Sequence, residues 1–222
     1  MLTFSINKIF SLNIYKTVIL NFHYFPIKTA CKFPVLVYKN VSLVKCKGSI
    51  ILNTPAKVGL LQIGPQKIGT LDHKHNKSIW EVEGEIVLNG KANIGSGSRI
   101  CVGPKATLRL GDNFNISGNS SIICQKEITF GLNCLLSWDI LIMDTDFHKI
   151  LDLQNNIINP ANSIHIGNHV WIGCRSTILK GVQIADHSVV AAGAVITKTL
   201  PDAHSIYGGN NLKLKSDIDW EG

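Results

Sequence analysis

The sequence predicts an all-β solenoid, on three observations. From Ile166 to Lys198 the chain reads in sixes, IGNHVW, IGCRST, ILKGVQ, IADHSV, VAAGAV, ITK, so that Ile166, Ile172, Ile178, Ile184, Val190 and Ile196 recur one period apart. Small residues stand second in most blocks (Gly167, Gly173, Ala185, Ala191), and small or β-branched ones stand fifth (Val170, Ser176, Val182, Ser188, Ala194). The same period reappears upstream, from Ile94 onward. It matches neither a helical spacing of three and four nor the alternation by two of a half-buried strand. Fixed self-similarity marks stacked repeats. The physical solution is a narrow prism with three blocks per coil, aliphatic residues stacked inside, and small residues where the chain turns a corner.

Taken in order, residues 3–25 space Phe4, Ile6, Ile9, Phe10, Ile14, Val18, Ile19 and Phe22 as one or two short amphipathic helices would. Pro26 and Pro34 punctuate the next stretch, and Val35 to Val44 is β-rich. After Gly48 short strands separated by Gly, Asn and Asp suit the first irregular coils, and the segment from Ile68 to Ile79 interrupts them as a loop. Leu110, Ile116, Ile122 and Ile128 then keep one phase, while Phe130, Leu136 and Ile142 keep another shifted by two, as a turn insertion or bulge would produce. Residues 143–163 lose the small-residue pattern and read as an excursion from the coil wall, a feature that is usually functional. Pro201 is expected to end the coil, leaving 201–222 as a capping tail. The division expected is therefore a basic N-terminal segment 1–50, a solenoid 51–200 and the tail.

The net charge of +7 is local. Residues 1–50 hold seven lysines and no Asp or Glu, while the remainder carries fifteen basic and fifteen acidic residues. Aromatic residues are interleaved with those lysines, so the segment suits either a cap with its lysines in water, the favoured reading, or contact with a membrane surface. No nucleic-acid motif or Arg-rich face is present, so nucleic acid is not an expected partner. Polar residues interrupt the first apolar run and no cleavage pattern comes after it, so neither a signal peptide nor a spanning helix is expected. Six cysteines without Cys-x-x-Cys spacing fit a reduced, cytoplasmic protein in which several act as small core residues.

The excursion contains DTDFH, which sets His148 beside Asp144 and Asp146. Together with IGNHVWIGCRSTILKGVQIADHSVVAAGAVITK, this stretch closely resembles the hexapeptide-repeat acyltransferases, in particular the sugar O-acetyltransferases related to the maltose and galactoside enzymes and to capsule or lipopolysaccharide modifiers. The resemblance is strong over 86–215, weak over 50–85 and absent before. It implies a left-handed parallel β-helix, a homotrimer, acetyl-CoA in a groove between subunits and no metal. It also implies that His148 is the general base on the acceptor hydroxyl, since a neutral imidazole can take and return a proton near working pH. Asp146 or Asp144 would fix its tautomer. Trp171 would lie near the acceptor end of the groove, or else pack across a subunit interface. Gly173, Cys174, Ala192, Thr197, Lys198 and Lys213 would contact the cofactor, the lysines near its phosphates. The tail departs from the family's GNPA, reading Gly209, Asn210, Asn211, Leu212.

The activity so implied is transfer of acetyl from acetyl-CoA to a hydroxyl of a sugar in a surface polysaccharide or its precursor, in the cytoplasm or against the inner face of the membrane. N-acetylation of an amino sugar would use the same residues. His169 and His187, one coil apart, read as solvated corner residues. Their stacking also raises a metal-dependent carbonic-anhydrase-like solenoid, which needs three converging histidines. A non-catalytic assembly protein is the remaining alternative. His23, His73, His75 and His204 are read as surface or structural residues.

Overall fold

The computed structural model describes residues 11–65, 68, 69, 71, 72 and 75–221. Phe4, Ile6, Ile9, Phe10 and His73, singled out in the sequence, lie outside them. Helices α1 (Ile14–Tyr24) and α2 (Ile27–Ala30) precede twenty-two strands, numbered in chain order from β1 (Val35–Val37). The strands form three sheets of nine, seven and six. Along each sheet a strand pairs in parallel with the strand one coil later, so the sheets are the three faces of a triangular prism.

The first face holds β16 (Trp171–Ile172) and β19 (Val189–Val190), the second β14 (Leu141–Met143), β17 (Thr177–Leu179) and β20 (Val195–Ile196), and the third β12 (Glu127–Phe130), β15 (Ile164–Ile166) and β18 (Gln183–Ile184). In the last coils Ile166 pairs with Ile184, Ile172 with Val190 and Ile178 with Ile196, each eighteen residues on. All six are buried, as are the fifth-position residues Val170, Ser176, Val182, Ser188 and Ala194. Gly173 shows why the second position is small: a Cβ there would stand 2.6 Å from the Ala192 nitrogen of the next coil.

Upstream the coils are longer. Ile100 pairs with Ile122 and Ile122 with Ile142, twenty-two and twenty residues apart. The two-residue phase shift comes from β12, where Ile128 and Phe130 both point inward on either side of Thr129. Strand alternation turns both inward, and the twenty-residue coil carries the two inserted residues expected, without a bulge in β12. Bulges occur instead between Leu43 and Lys45 and between Ile206 and Tyr207. The wider coils hold the largest buried side chains, Trp80, Phe114 and Phe130, with the two phenylalanine rings 4.7 Å apart.

Helix α1 covers the open edge of β1 in an unusual way. Asn13 caps it, accepting from Lys16 N at 3.0 Å, and Phe25 before Pro26 leaves the helix in an extended conformation. Its inner side sets Leu20 in the core beside two polar residues. Asn21 Nδ2 donates to Val35 O and Asn21 Oδ1 accepts from Val35 N, while Thr17 Oγ1 accepts from Val37 N and donates to Val37 O. These bonds satisfy edge groups that would otherwise be unpaired in a buried setting. The helix is amphipathic as predicted, but of its apolar residues Leu20 turns inward while Ile14, Tyr15, Val18, Ile19 and Phe22 face outward.

Pro201 does not end the coil. The strand β21 (Ile206–Gly208) adds to β19 in parallel, and only β22 (Leu212–Lys215) turns back, antiparallel to β21 and exposed throughout. Cys124 and Cys134 are core residues, and burial pushes the Cys134 thiol up to about 12.

Candidate active site

The chain leaves the second face after Met143 and re-enters the third at Ile164, so the excursion stands on the edge between those faces. Both feet are fixed. Asn162 N donates to Asp144 O at 2.9 Å, and Gly181 N of the coil below donates to Asn162 O at 3.0 Å. Asp144 is fully buried, and its carboxylate accepts from the backbone nitrogens of Gln125, Lys126 and Glu127 at 2.7 to 2.8 Å. It therefore pins the corner of the preceding coil and does not orient His148.

Asp146 is committed elsewhere as well. Its Oδ2 accepts from Lys180 Nζ at 2.5 Å and from Asn159 Nδ2 at 2.8 Å. Lys180, and after it Asn159, hold the carboxyl below the usual aspartate range. Asn159 gathers the loop, donating also to His148 O at 2.9 Å and accepting from Ile150 N at 2.6 Å. His148 is exposed, and among the described residues its ring has no hydrogen-bond partner. The backbone at His148 is thus held while the imidazole faces outward. The loop tip is a short antiparallel turn bridged by Leu151 and Ile157 around Asp152, with apolar side chains outward and Leu153 98% exposed.

Trp171 lies on the first face, between Leu135 and Val189 of neighbouring coils, and is 37% exposed. Its Nε1 donates to Ser137 Oγ at 3.0 Å. From Trp171 the outward column runs back through Leu135, Asn115 and Asn93, beside a cavity of about 340 Å³ also lined by Asn133, His169 and Trp220. Trp220 comes from the tail; its ring stacks on His169 at 4.3 Å and its Nε1 donates to His169 O at 2.9 Å.

The residues expected at the cofactor occupy two edges. Gly173, Cys174 and Ala192 stack at the edge between the first and second faces, where Gly193 N donates to Cys174 O at 2.9 Å. Thr197 and Lys198 are exposed on the edge that carries the excursion. Both nitrogens donate to Asn211 Oδ1, at 2.7 and 3.0 Å, and Asn211 Nδ2 donates to Thr197 Oγ1. The altered tail is therefore a clasp: Gly209 and Asn211 take positive φ and Asn211 grips the last coil. Lys213 Nζ is 3.1 Å from Asp202 Oδ2, so it is paired within the chain and not directed to the edge of Thr197 and Lys198. No hydrogen bond or ring contact among the described residues joins His148 to Trp171 or Gly173.

His169, His187 and His204 occupy successive corners of the edge between the third and first faces, all at positive φ. One ring nitrogen each of His169 and His187 and an Asp219 oxygen lie within 4.8 Å of one another. His169 Nε2 already faces Trp220 O at 3.0 Å, and His204 Nδ1 is 3.1 Å from Ile218 O, so these corners hold the tail. His165, on β15 of the third face, pairs with Thr129 and Gln183 in register and does not join them.

Residues 163–198 match the family described as bacterial transferase hexapeptide, six repeats. Over these residues the coil is a hexapeptide repeat. It is a left-handed parallel β-helix, the hand the resemblance implied. The polysialic-acid-specific acetyltransferase NeuO shares the fold, with a TM-score of 0.50 and 20% identity over 85% of this chain and 79% of that one. The chain is 33% identical over 96 residues to the galactoside O-acetyltransferase of Escherichia coli K12, covering 43% of this chain and 47% of that protein. It is 28% identical over 150 residues to the polysialic acid O-acetyltransferase of Escherichia coli O1:K1, covering 67% of this chain and 43% of that protein. The chain thus spans about half the length of these curated relatives.

Four residues around the candidate site carry no sequence signal of their own. Lys180 and Asn159 anchor Asp146, Ser137 receives the Trp171 indole, and Trp220 folds back across the prism. A tail tryptophan and a lysine one residue before a corner glycine are ordinary in sequence.

Proposed function

We propose that this protein transfers an acetyl group from acetyl-CoA to a hydroxyl of a sugar in a surface polysaccharide or its precursor, with His148 as general base. The observation that carries the reading is an outward imidazole on a loop fixed at both feet, set on a repeat similar to named sugar O-acetyltransferases. In the reaction the acceptor oxygen attacks the thioester carbonyl carbon as His148 takes its proton. The tetrahedral intermediate collapses with loss of the CoA thiolate, which recovers that proton, giving an acetyl ester and free thiol. A thioester is already activated, so no covalent enzyme intermediate is needed.

Asp146 acts in this reading as a positioning residue, through Asn159 and Lys180. Trp171 borders the acceptor, and the carboxamides of Asn93 and Asn133 offer the donor and acceptor pairs that sugar hydroxyls need. Gly173, Cys174 and Ala192 line the pantetheine arm, and Thr197 and Lys198 lie toward the nucleotide. Because Trp171, Gly173, Cys174 and Ala192 stand away from the edge that carries His148, Thr197 and Lys198, the complete site forms between copies in a homotrimer. The apolar loop tip, with Phe147, Ile150 and Leu153 exposed, supports such a contact. The protein would work in the cytoplasm against the inner face of the membrane; among the described residues no helix is long and apolar enough to cross one.

Thiol release from acetyl-CoA across nucleotide sugars, oligosaccharides and lipid-linked glycans tests the reading. Turnover that vanishes in a folded His148→Ala variant supports it, and full activity in that variant removes His148 as base. Mixing His148→Ala with Trp171→Ala subunits should restore about a quarter of the sites if they form between copies, and none if each chain holds its own.

A further inference from the structure

We propose that the outward stripe of α1 docks on the anionic surface of a lipid bilayer. Ordinarily a helix lying on a sheet edge turns its apolar side inward. Here Leu20 is the aliphatic residue turned into the core, beside Thr17 and Asn21 that bond β1, so Ile14, Tyr15, Val18, Ile19 and Phe22 are left as a continuous outer row. Ile14 and Tyr15 are 71% and 74% exposed, and Ile27, at the start of α2, is 73% exposed. The inner contacts are already satisfied, so the row has no further partner among the described residues.

Charge chooses the occupant. Residues 11–50 contain six lysines and no carboxylate, and Lys28, Lys32 and Lys39 are exposed close to the helix in sequence. Lys45 is paired with Glu81 and Glu83, and Lys16 with Val41 O, so they are not counted. An amphipathic helix of aromatic and aliphatic residues with lysines beside it suits the boundary between headgroups and acyl chains. Each lysine near an anionic surface adds about fivefold to the partition, and the effect is screened by salt. The inference deepens the peripheral placement proposed above and is independent of the transfer chemistry, which fails separately if a soluble acceptor gives no His148-dependent turnover.

The test is co-sedimentation of the full chain with vesicles of phosphatidylcholine alone or with added phosphatidylglycerol, at low salt and at about 0.5 M salt. Wild type should sediment with the anionic vesicles, much less with the neutral ones, and less at high salt. Replacing Ile19 and Phe22 together by Ser should lower the partition about tenfold or more while leaving the melting temperature and turnover of a soluble acceptor unchanged. A second variant, Lys28→Glu with Lys32→Glu, should lose the preference for phosphatidylglycerol. No binding to anionic vesicles, or binding unaffected by either variant, would overturn the proposal. So would light scattering showing that the Ile19/Phe22 variant dissociates the assembly, which would assign the stripe to a second copy.

Discussion

Lys180 Nζ lies 2.5 Å from Asp146 Oδ2, tying the loop that carries His148 to the coil beneath it. Neither residue touches the imidazole, yet together with Asn159 they fix the backbone from which it projects.

Replacing Lys180 by Ala should therefore lower kcat about tenfold or more with little change in melting temperature, since the pair is partly exposed. Lys180→Arg should restore most of the rate, which a purely structural role would not require. Steady-state kinetics beside a thermal melt decides the matter.

The same pair has a defined pH dependence. Lys180 lowers the folded-state pKa of Asp146, so the pair contributes stability fully above the unfolded aspartate value of about 3.9 and loses it as pH falls through the lowered folded value. An NMR titration of the Asp146 carboxyl carbon should show a midpoint below that ordinary value, moving up in Lys180→Ala. An unshifted wild-type midpoint would refute the pairing in solution.

Asp144 should behave as a structural residue. Asp144→Ala leaves three backbone N–H groups at the corner without their acceptor and is expected to cost about 2–5 kcal/mol in urea unfolding. Asp144→Asn keeps an acceptor oxygen and should cost less. Equal costs would mean that the carboxylate charge is essential.

Asn211→Ala should open the tail clasp at Thr197 and Lys198. Tryptic cleavage after Lys213 or Lys215 should become faster, and the KM for acetyl-CoA should rise while kcat changes little. An unchanged KM would place the cofactor away from that edge.

Much of the solenoid was legible because its core obeys one rule: a single aliphatic per six residues, as at Ile172, Ile178 and Ile184, has no other compact solution. The wider coils obscured it, since two extra residues per coil break the phase and Ile128 and Phe130 both turn inward on one strand. Helix α1 was legible as a helix but not in its direction, because Thr17 and Asn21 look like a solvent face until β1 supplies the backbone groups they bond. The site was legible only where it is local. DTDFH marks the loop, but two neighbouring aspartates look alike in sequence. What separates them is distant contact, Asp144 with Gln125 nineteen positions back and Asp146 with Lys180 thirty-four positions on.

The reversal at β22 also governs how copies of this molecule can meet. A parallel stack that ended in an open strand would invite the next chain to continue it, and growth would run on as a filament. A final strand that runs backward, with Lys213 and Lys215 alternating along an exposed edge, offers no register for another parallel coil. On the first face, then, the stack turns back on its own chain and does not pass to a second copy.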